Sequence, residues 1–424
     1  MTLFKLSLRE LLSLWERFSS AENPETVQFE RGHTPWKNVF THLYAVRFWN
    51  ASDRLRETGL IEEWEQWAHD PLFGEATRVT IELEIWFKDS EADRAQAEMA
   101  VETALRELRD TIIVNRCIIE EIRYHALLVE LPISAVEQII NENARVIQCD
   151  EIMYVRASGQ IAFGISPLQE ATLPEPPLEL PTGEPIVALL DGVPVQNHAW
   201  LRNRLSVSDP DGYAATTPQS ARHHGTAMAS LIVHGEIDSR EAPLPRPLVV
   251  RPLMASTPEG SSEAVPPNRL LVDLVHIAIH QLIAGTEEEP PIAPTVRIIN
   301  FSIAYHNRQF VRIPCPLAKL LDWLAYEYDL LFFVSAGNHS LPVEVDCTYD
   351  QLPNLLEQPQ ELRKLLFTAL DRDRRNRRLL QPSESINALT VGALHCDSSG
   401  VPIPEQGLLN NRAFEAESPT KRAS

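Results

Sequence analysis

The chain has 424 residues, with 59 acidic against 38 basic side chains and a formal charge of −21. That balance argues against a nucleic-acid binder, because phosphate contacts need a basic face. Hydrophobic residues make up 44%, enough for a full core, and the length predicts two or three domains.

No apolar run approaches the ~20 residues of a membrane span. The N-terminal run Met1-Thr-Leu-Phe-Lys5 to Phe18 carries Arg9, Glu10, Glu16 and Arg17 inside its apolar residues. It reads as an amphipathic helix, since a signal peptide needs a clean apolar stretch and a small-residue cleavage site. Five cysteines (Cys117, Cys149, Cys315, Cys347, Cys396) are scattered without CxxC spacing. They give neither a disulfide framework nor a zinc signature, so a cytoplasmic location is expected.

In chain order, residues 1–75 hold helical patches rich in Trp and Arg, with no recognisable chemistry. They read as a packing surface for another domain or chain. Residues 76–156 open with Val79, Ile81, Leu83 and Ile85 at period two, the mark of a strand. A charged helical stretch follows over Glu91 to Leu108. Strands then read around Cys117–Tyr124 and Ala126–Leu131, a helix from Ile133 to about Asn143, and a strand at Glu151–Val155. The order β-α-β-β-α-β is the ferredoxin-like split motif. Residues 157–185 are a linker, with Pro167, Pro174, Pro176, Pro177, Pro181 and Pro185 keeping the backbone extended.

Residues 186–424 change to apolar strands alternating with helices. Strands read at Ile186–Leu190, Leu248–Leu253, Val296–Ile303, Leu330–Ser335 and Ala388–Gly392, and helices at about Thr226–Val233, Asn268–Ile283 and Pro316–Glu327. Continuous apolar strands separated by helices predict an α/β domain, a doubly wound parallel sheet covered on both faces. Active sites of such sheets lie at the carboxyl ends of the strands. The segment from Pro342 to Pro382, with Arg372-Asp-Arg-Arg-Asn-Arg-Arg378, reads as a solvated loop or helix face.

Four polar sites stand at those strand ends or helix starts. Asp191 closes the run Ile186–Leu190 and alone reads as a turn cap before Gly192. His224, in His-Gly-Thr, opens a helix, where a histidine is tuned by the dipole or simply buried. Asn300-Phe-Ser302 ends one strand and Ala336-Gly337-Asn338 follows another; strand ends and turns explain each alone. All four occurring in order, each at the matching strand end or helix start, is much rarer than any one of them.

Together these motifs resemble the subtilisin-like serine proteases, from about Pro185 to the segment Ser385-Ile-Asn-Ala-Leu-Thr-Val-Gly-Ala393. The separations suit it, with 33 residues from Asp191 to His224 and 114 from His224 to Asn338. The resemblance implies a serine endopeptidase acting on a protein or peptide substrate, with His224 as general base, Asp191 orienting it and Asn338 in the oxyanion hole. It implies that Ser302, Ile303, Ser335, Ala336 and Gly337 line the substrate pocket, and that no cofactor or metal is needed. A β-α-β-β-α-β unit upstream resembles the family's propeptide. Similar long chains are encoded beside ATPases, so the resemblance suggests a partner protein, an ATPase, for the N-terminal region.

The resemblance also marks departures. The family usually has Thr or Ser after the aspartate, where Gly192 stands here, and a glycine soon after Ser302, where Ala304-Tyr305 stand. The family's nucleophile lies in a Gly-Thr-Ser, and the sequence contains none. The expectation is that the chain stops short of that serine. Two rivals remain: a catalytically inactive module that binds peptides or regulates a partner, and a metal-dependent hydrolase built on Asp191, His198, His223 and His224.

Overall fold

The computed structural model describes residues 8–392 apart from 31, 70–73, 75–76, 159–174, 236, 238–240, 258–262, 287–288, 340–342 and 349–350. Pro167, Pro174, Pro342 and the tail from Ala393 therefore lie outside the described residues. The chain divides into two compact units, 1–53 and 54–424.

In the first unit, helices α1 (Leu8–Ser19) and α2 (Thr34–Phe40) meet through aromatic rings. Phe40 is buried at the centre, with Trp15 edge-on at 5.4 Å and Phe18 and Phe29 within 6 Å. Ring pairs of this geometry add attraction beyond simple burial, so this small unit is organised around one side chain.

The second unit begins within α3 (Ala51–Leu55), continues through α4 (Leu60–His69), and reaches strand β1 (Arg78–Ile85). Helix α5 (Glu91–Leu105) starts where Ser90 Oγ accepts the Asp93 amide at 3.1 Å. Strands β2 (Ile112–Ile119) and β3 (Tyr124–Pro132), helix α6 (Ile133–Ile140) and strand β4 (Ile152–Ala157) complete a β-α-β-β-α-β unit. Its sheet has the order β2-β3-β1-β4, and each neighbouring pair is antiparallel.

The α/β layer follows with β5 (Val187–Asp191), β6 (Leu205–Val207), α7 (Tyr213–Thr216), α8 (His224–His234), β7 (Leu248–Pro252), the short pair β8 (Ala255–Ser256) and β9 (Glu263–Ala264), α9 (Leu271–Ile279), β10 (Ile298–Phe301), α10 (Pro316–Tyr328), β11 (Leu331–Ser335), α11 (Leu352–Leu356), α12 (Pro359–Asp373) and β12 (Ala388–Val391). Six strands form one parallel sheet in the order β12-β11-β10-β5-β7-β6. The period of two then sorts the side chains. Leu189 on β5 joins Ala229 and Val233 of α8 in one apolar cluster, while its neighbours Ala188 and Leu190 join α9 and α10 on the other face. Both faces are covered, which is why the strands read as unbroken apolar runs.

Helices α9 and α10 are shared between two sheets. Their outer side packs against Cys117, Ile119, Tyr124, Ala126 and Leu128 of β2 and β3, in one continuous core with the parallel sheet. The antiparallel sheet is therefore bound to the α/β layer by buried apolar surface, worth roughly 25 cal/mol for each Å² removed from water. Among the described residues the segment 343–382 holds α11 and α12, and three of the five arginines of its basic run pair locally: Arg372 with Asp346, Arg374 with Asp371 and Arg377 with Asp373. Four of the cysteines, Cys117, Cys149, Cys315 and Cys347, are free.

Candidate active site

Strand β5 is buried on both faces and ends in a carboxylate, so the chain must satisfy Asp191 at once. Its Oδ1 accepts the Gly192 amide at 2.7 Å and lies 2.6 Å from His224 Nδ1. Asp191 is fully buried, and its Oδ2 finds no hydrogen-bond partner among the described residues. Thr226, two residues after the histidine, ties the two elements together. Its Oγ1 accepts the Val195 amide at 2.8 Å and donates to the Arg222 carbonyl, holding the loop after β5 against the first turn of α8.

Close packing completes the junction. A methyl group at Gly225 would run into the Gly192 carbonyl, so glycine is required for α8 to approach the end of β5. A methyl group at Gly192 would overlap Glu263 Oε1. Glu263, on β9, is buried, and its Oε2 accepts the His224 amide at 2.6 Å. No local pattern in the sequence marks this residue. The only trace of it is Gly192, which leaves the space Glu263 fills.

The electrostatics follow from this crowding. Burial by itself opposes the charged imidazole of His224, but the hydrogen bond and charge of Asp191, with Glu263 adding to them, outweigh it and raise its pKa above the ordinary histidine value. Burial pushes the Glu263 carboxyl up to about 7, the Asp191 charge adding to the effect and the amides of His224 and Gly225 opposing it. An imidazole held by a carboxylate through Nδ1 has Nε2 as its working nitrogen, ready to take and return a proton.

The other expected site residues lie at the same carboxyl edge. Ser302 and Ile303 follow β10, which sits between β5 and β11, and Ser302 Oγ bonds to Asn300 Oδ1 at 2.8 Å. Ser335 ends β11, its Oγ accepting the Gly337 amide at 3.1 Å. Ala336 has both backbone groups engaged within the protein: its amide donates to Val391 and its carbonyl accepts from Leu380. Gly337 has φ +92°, a left-handed conformation, and the Leu380 side chain presses where a Cβ would stand. Asn338, the next residue, is exposed.

The metal-site arrangement is not assembled. His223 Nε2 turns to the Ser220 carbonyl at 2.5 Å and His198 Nδ1 to the Trp200 amide at 3.4 Å. Among the described residues no three His, Cys, Asp or Glu side chains gather as a metal site. Among them, too, no helix is long and apolar enough to cross a membrane.

A family model described as the Subtilase family, peptidase S8, matches residues 182–404. No curated protein matches the chain.

Proposed function

The chain belongs to the subtilase family of serine peptidases, and from that premise we propose that it is a serine endopeptidase whose proton-transfer pair is Asp191–His224. The 2.6 Å contact between His224 Nδ1 and Asp191 Oδ1 at the end of a parallel strand carries this reading. In the proposed mechanism a serine hydroxyl attacks a peptide carbonyl. His224 Nε2 takes its proton and later gives it to the leaving amine, while Asp191 fixes the tautomer and stabilises the imidazolium.

Asn338 is assigned to the oxyanion. It is exposed at the strand edge, and an asparagine donor in this role is worth about 3–4 kcal/mol of transition-state stabilisation in subtilisin. Ser302, Ile303, Ser335, Ala336 and Gly337 are assigned to the pocket walls. The nucleophile is assigned to a serine outside the 424 residues, none of which forms Gly-Thr-Ser. The antiparallel sheet domain is read as a ferredoxin-like, propeptide-like domain. The free cysteines favour a cytoplasmic setting, and the N-terminal unit is assigned to a partner protein, an ATPase by resemblance.

The test is fluorophosphonate labelling of the product of the whole reading frame that contains this chain. Labelling that disappears in His224→Ala supports the peptidase. A well-folded full-length product that never labels replaces it with the peptide-binding module.

A further inference from the structure

Helix α8 presents its first residue, His224, without a side-chain cap from its own sequence. The preceding residue, His223, has helical backbone angles and makes no capping bond. The amide groups at such an end need acceptors, and a carboxylate is the strongest available. Here the acceptor comes from a distant element. Glu263, 39 residues downstream on β9, takes the His224 amide at 2.6 Å through Oε2.

The other oxygen is equally informative. Glu263 Oε1 is buried, makes no hydrogen bond among the described residues, and occupies the place a Cβ of residue 192 would take. An ionisable group with one oxygen left unsatisfied out of water is expensive. A helix cap alone does not need it, since a serine or asparagine would serve. What a carboxylate adds is charge. Among the described residues, the titratable groups acting on it include Asp191 from β5 and His224 from α8, and those acting on the imidazole include Asp191 and Glu263.

We propose that Glu263 is a positioning residue for the proton-transfer pair: it fixes the helix turn that carries His224, and it adds a second negative charge that favours the imidazolium. Gly192 is its necessary complement. Where the family usually has Thr or Ser beside the aspartate, this chain has no side chain and supplies an acid from elsewhere. The inference rests on Asp191–His224 being the pair named above.

The experiment follows the His224 imidazole by NMR titration in the 424-residue chain, with no need of a nucleophile. Glu263→Gln keeps an acceptor for the helix amides and removes the charge. It should lower the His224 pKa by roughly half a unit to one unit while melting no earlier than the parent at pH 8. The double variant Gly192→Ser/Glu263→Ala refills the space with a neutral hydroxyl and should lower the pKa by the same margin, so the test survives if Glu263→Gln does not fold. An imidazole pKa unmoved in whichever of these folds overturns the proposal and leaves a structural cap. Asp191→Asn separates the two levels: if it too leaves the His224 pKa unmoved, the proton-transfer pair itself is wrong.

Discussion

Arg308 of the α/β layer meets Glu82 of strand β1 at 2.8 Å, with both side chains almost wholly out of water. The same guanidinium donates to the Ala157 carbonyl at the end of β4 and lies over the Tyr305 ring, 4.1 Å from its centroid. Glu82 also accepts the Tyr124 hydroxyl at 3.0 Å and pairs with Arg156, which in turn pairs with Glu84. Burial pushes the Glu82 carboxyl up, yet the two arginines and the tyrosine prevail and hold it below the ordinary glutamate value. The antiparallel sheet is thus joined to the α/β layer by charge as well as by apolar packing.

A buried cluster of this kind is more sensitive to losing one member than to losing a pair. Glu82→Ala leaves Arg308 buried without a carboxylate partner, while Arg156 keeps Glu84, and should cost about 3–5 kcal/mol. Glu82→Met with Arg308→Met should cost less than the single change, since no orphaned charge remains at 308. Urea unfolding of the three chains checks the order. A single variant as stable as the parent would show that the cluster contributes nothing to holding the two sheets together.

Gly225→Ala sets local propensity against packing. Alanine in a helix is favoured over glycine by about 0.5–1 kcal/mol, so an isolated helix would gain. Here the new methyl meets the Gly192 carbonyl, backbone against backbone, and neither can retreat without moving Asp191 or His224. The packing term should win, with a net loss of about 1–3 kcal/mol and a weakened Asp191–His224 hydrogen bond. Thermal melting measures the first and the imidazole titration the second. A variant that melts later than the parent would refute the close approach.

The architecture of the parallel sheet was legible because its physics is local: five apolar runs alternate with helical stretches, and each proved to be a strand. Asp191 and His224, which the structure sets 2.6 Å apart, each read alone as a cap and were legible as a pair only through the resemblance their motifs carry. Glu263 was not, because its role depends on a bond across 39 residues and on the space left by Gly192. Arg308 was hidden for the same reason: an arginine in a loop carries no sign that it will be buried against a glutamate 226 positions earlier. The short strand β6 and the β8–β9 pair are too brief for a period to show.

The thiols offer an independent check on burial. Cys117 and Cys315 are buried, and burial first, then the nearby charges of Asp273 and Glu384 respectively, push both thiols well above the ordinary cysteine value. Cys149 and Cys347 are only partly covered. Since the thiolate is the reacting form, iodoacetamide should modify Cys149 and Cys347 in the native protein at least about tenfold faster than the buried pair. Peptide mapping after timed alkylation reads this directly. Equal rates would mean that the face where β2 packs on α9 and α10 opens readily.

The dependence of stability on pH should be lopsided, because the perturbed groups act at opposite ends. Glu82 has a lowered pKa, so its contribution is present above the unfolded glutamate value and is lost as pH falls through the folded one. Glu263 and His224 have raised values, so between their unfolded and folded pKa values the native state holds more protons and stability falls as pH rises. For Glu263 that window runs from the ordinary carboxylate range up to about 7, and for His224 it lies above the ordinary histidine value. The melting temperature should therefore fall from mildly acidic pH towards pH 8, and fall again in strong acid. His224, in contrast, becomes able to accept a proton only as pH climbs through its raised pKa, so in the proposed peptidase, assayed as the product of the whole reading frame, activity and stability should move in opposite directions across neutrality. Glu263→Gln should flatten the alkaline side of the melting profile. A parent profile that stays level from pH 5 to 8 would mean that neither group is perturbed in the folded chain.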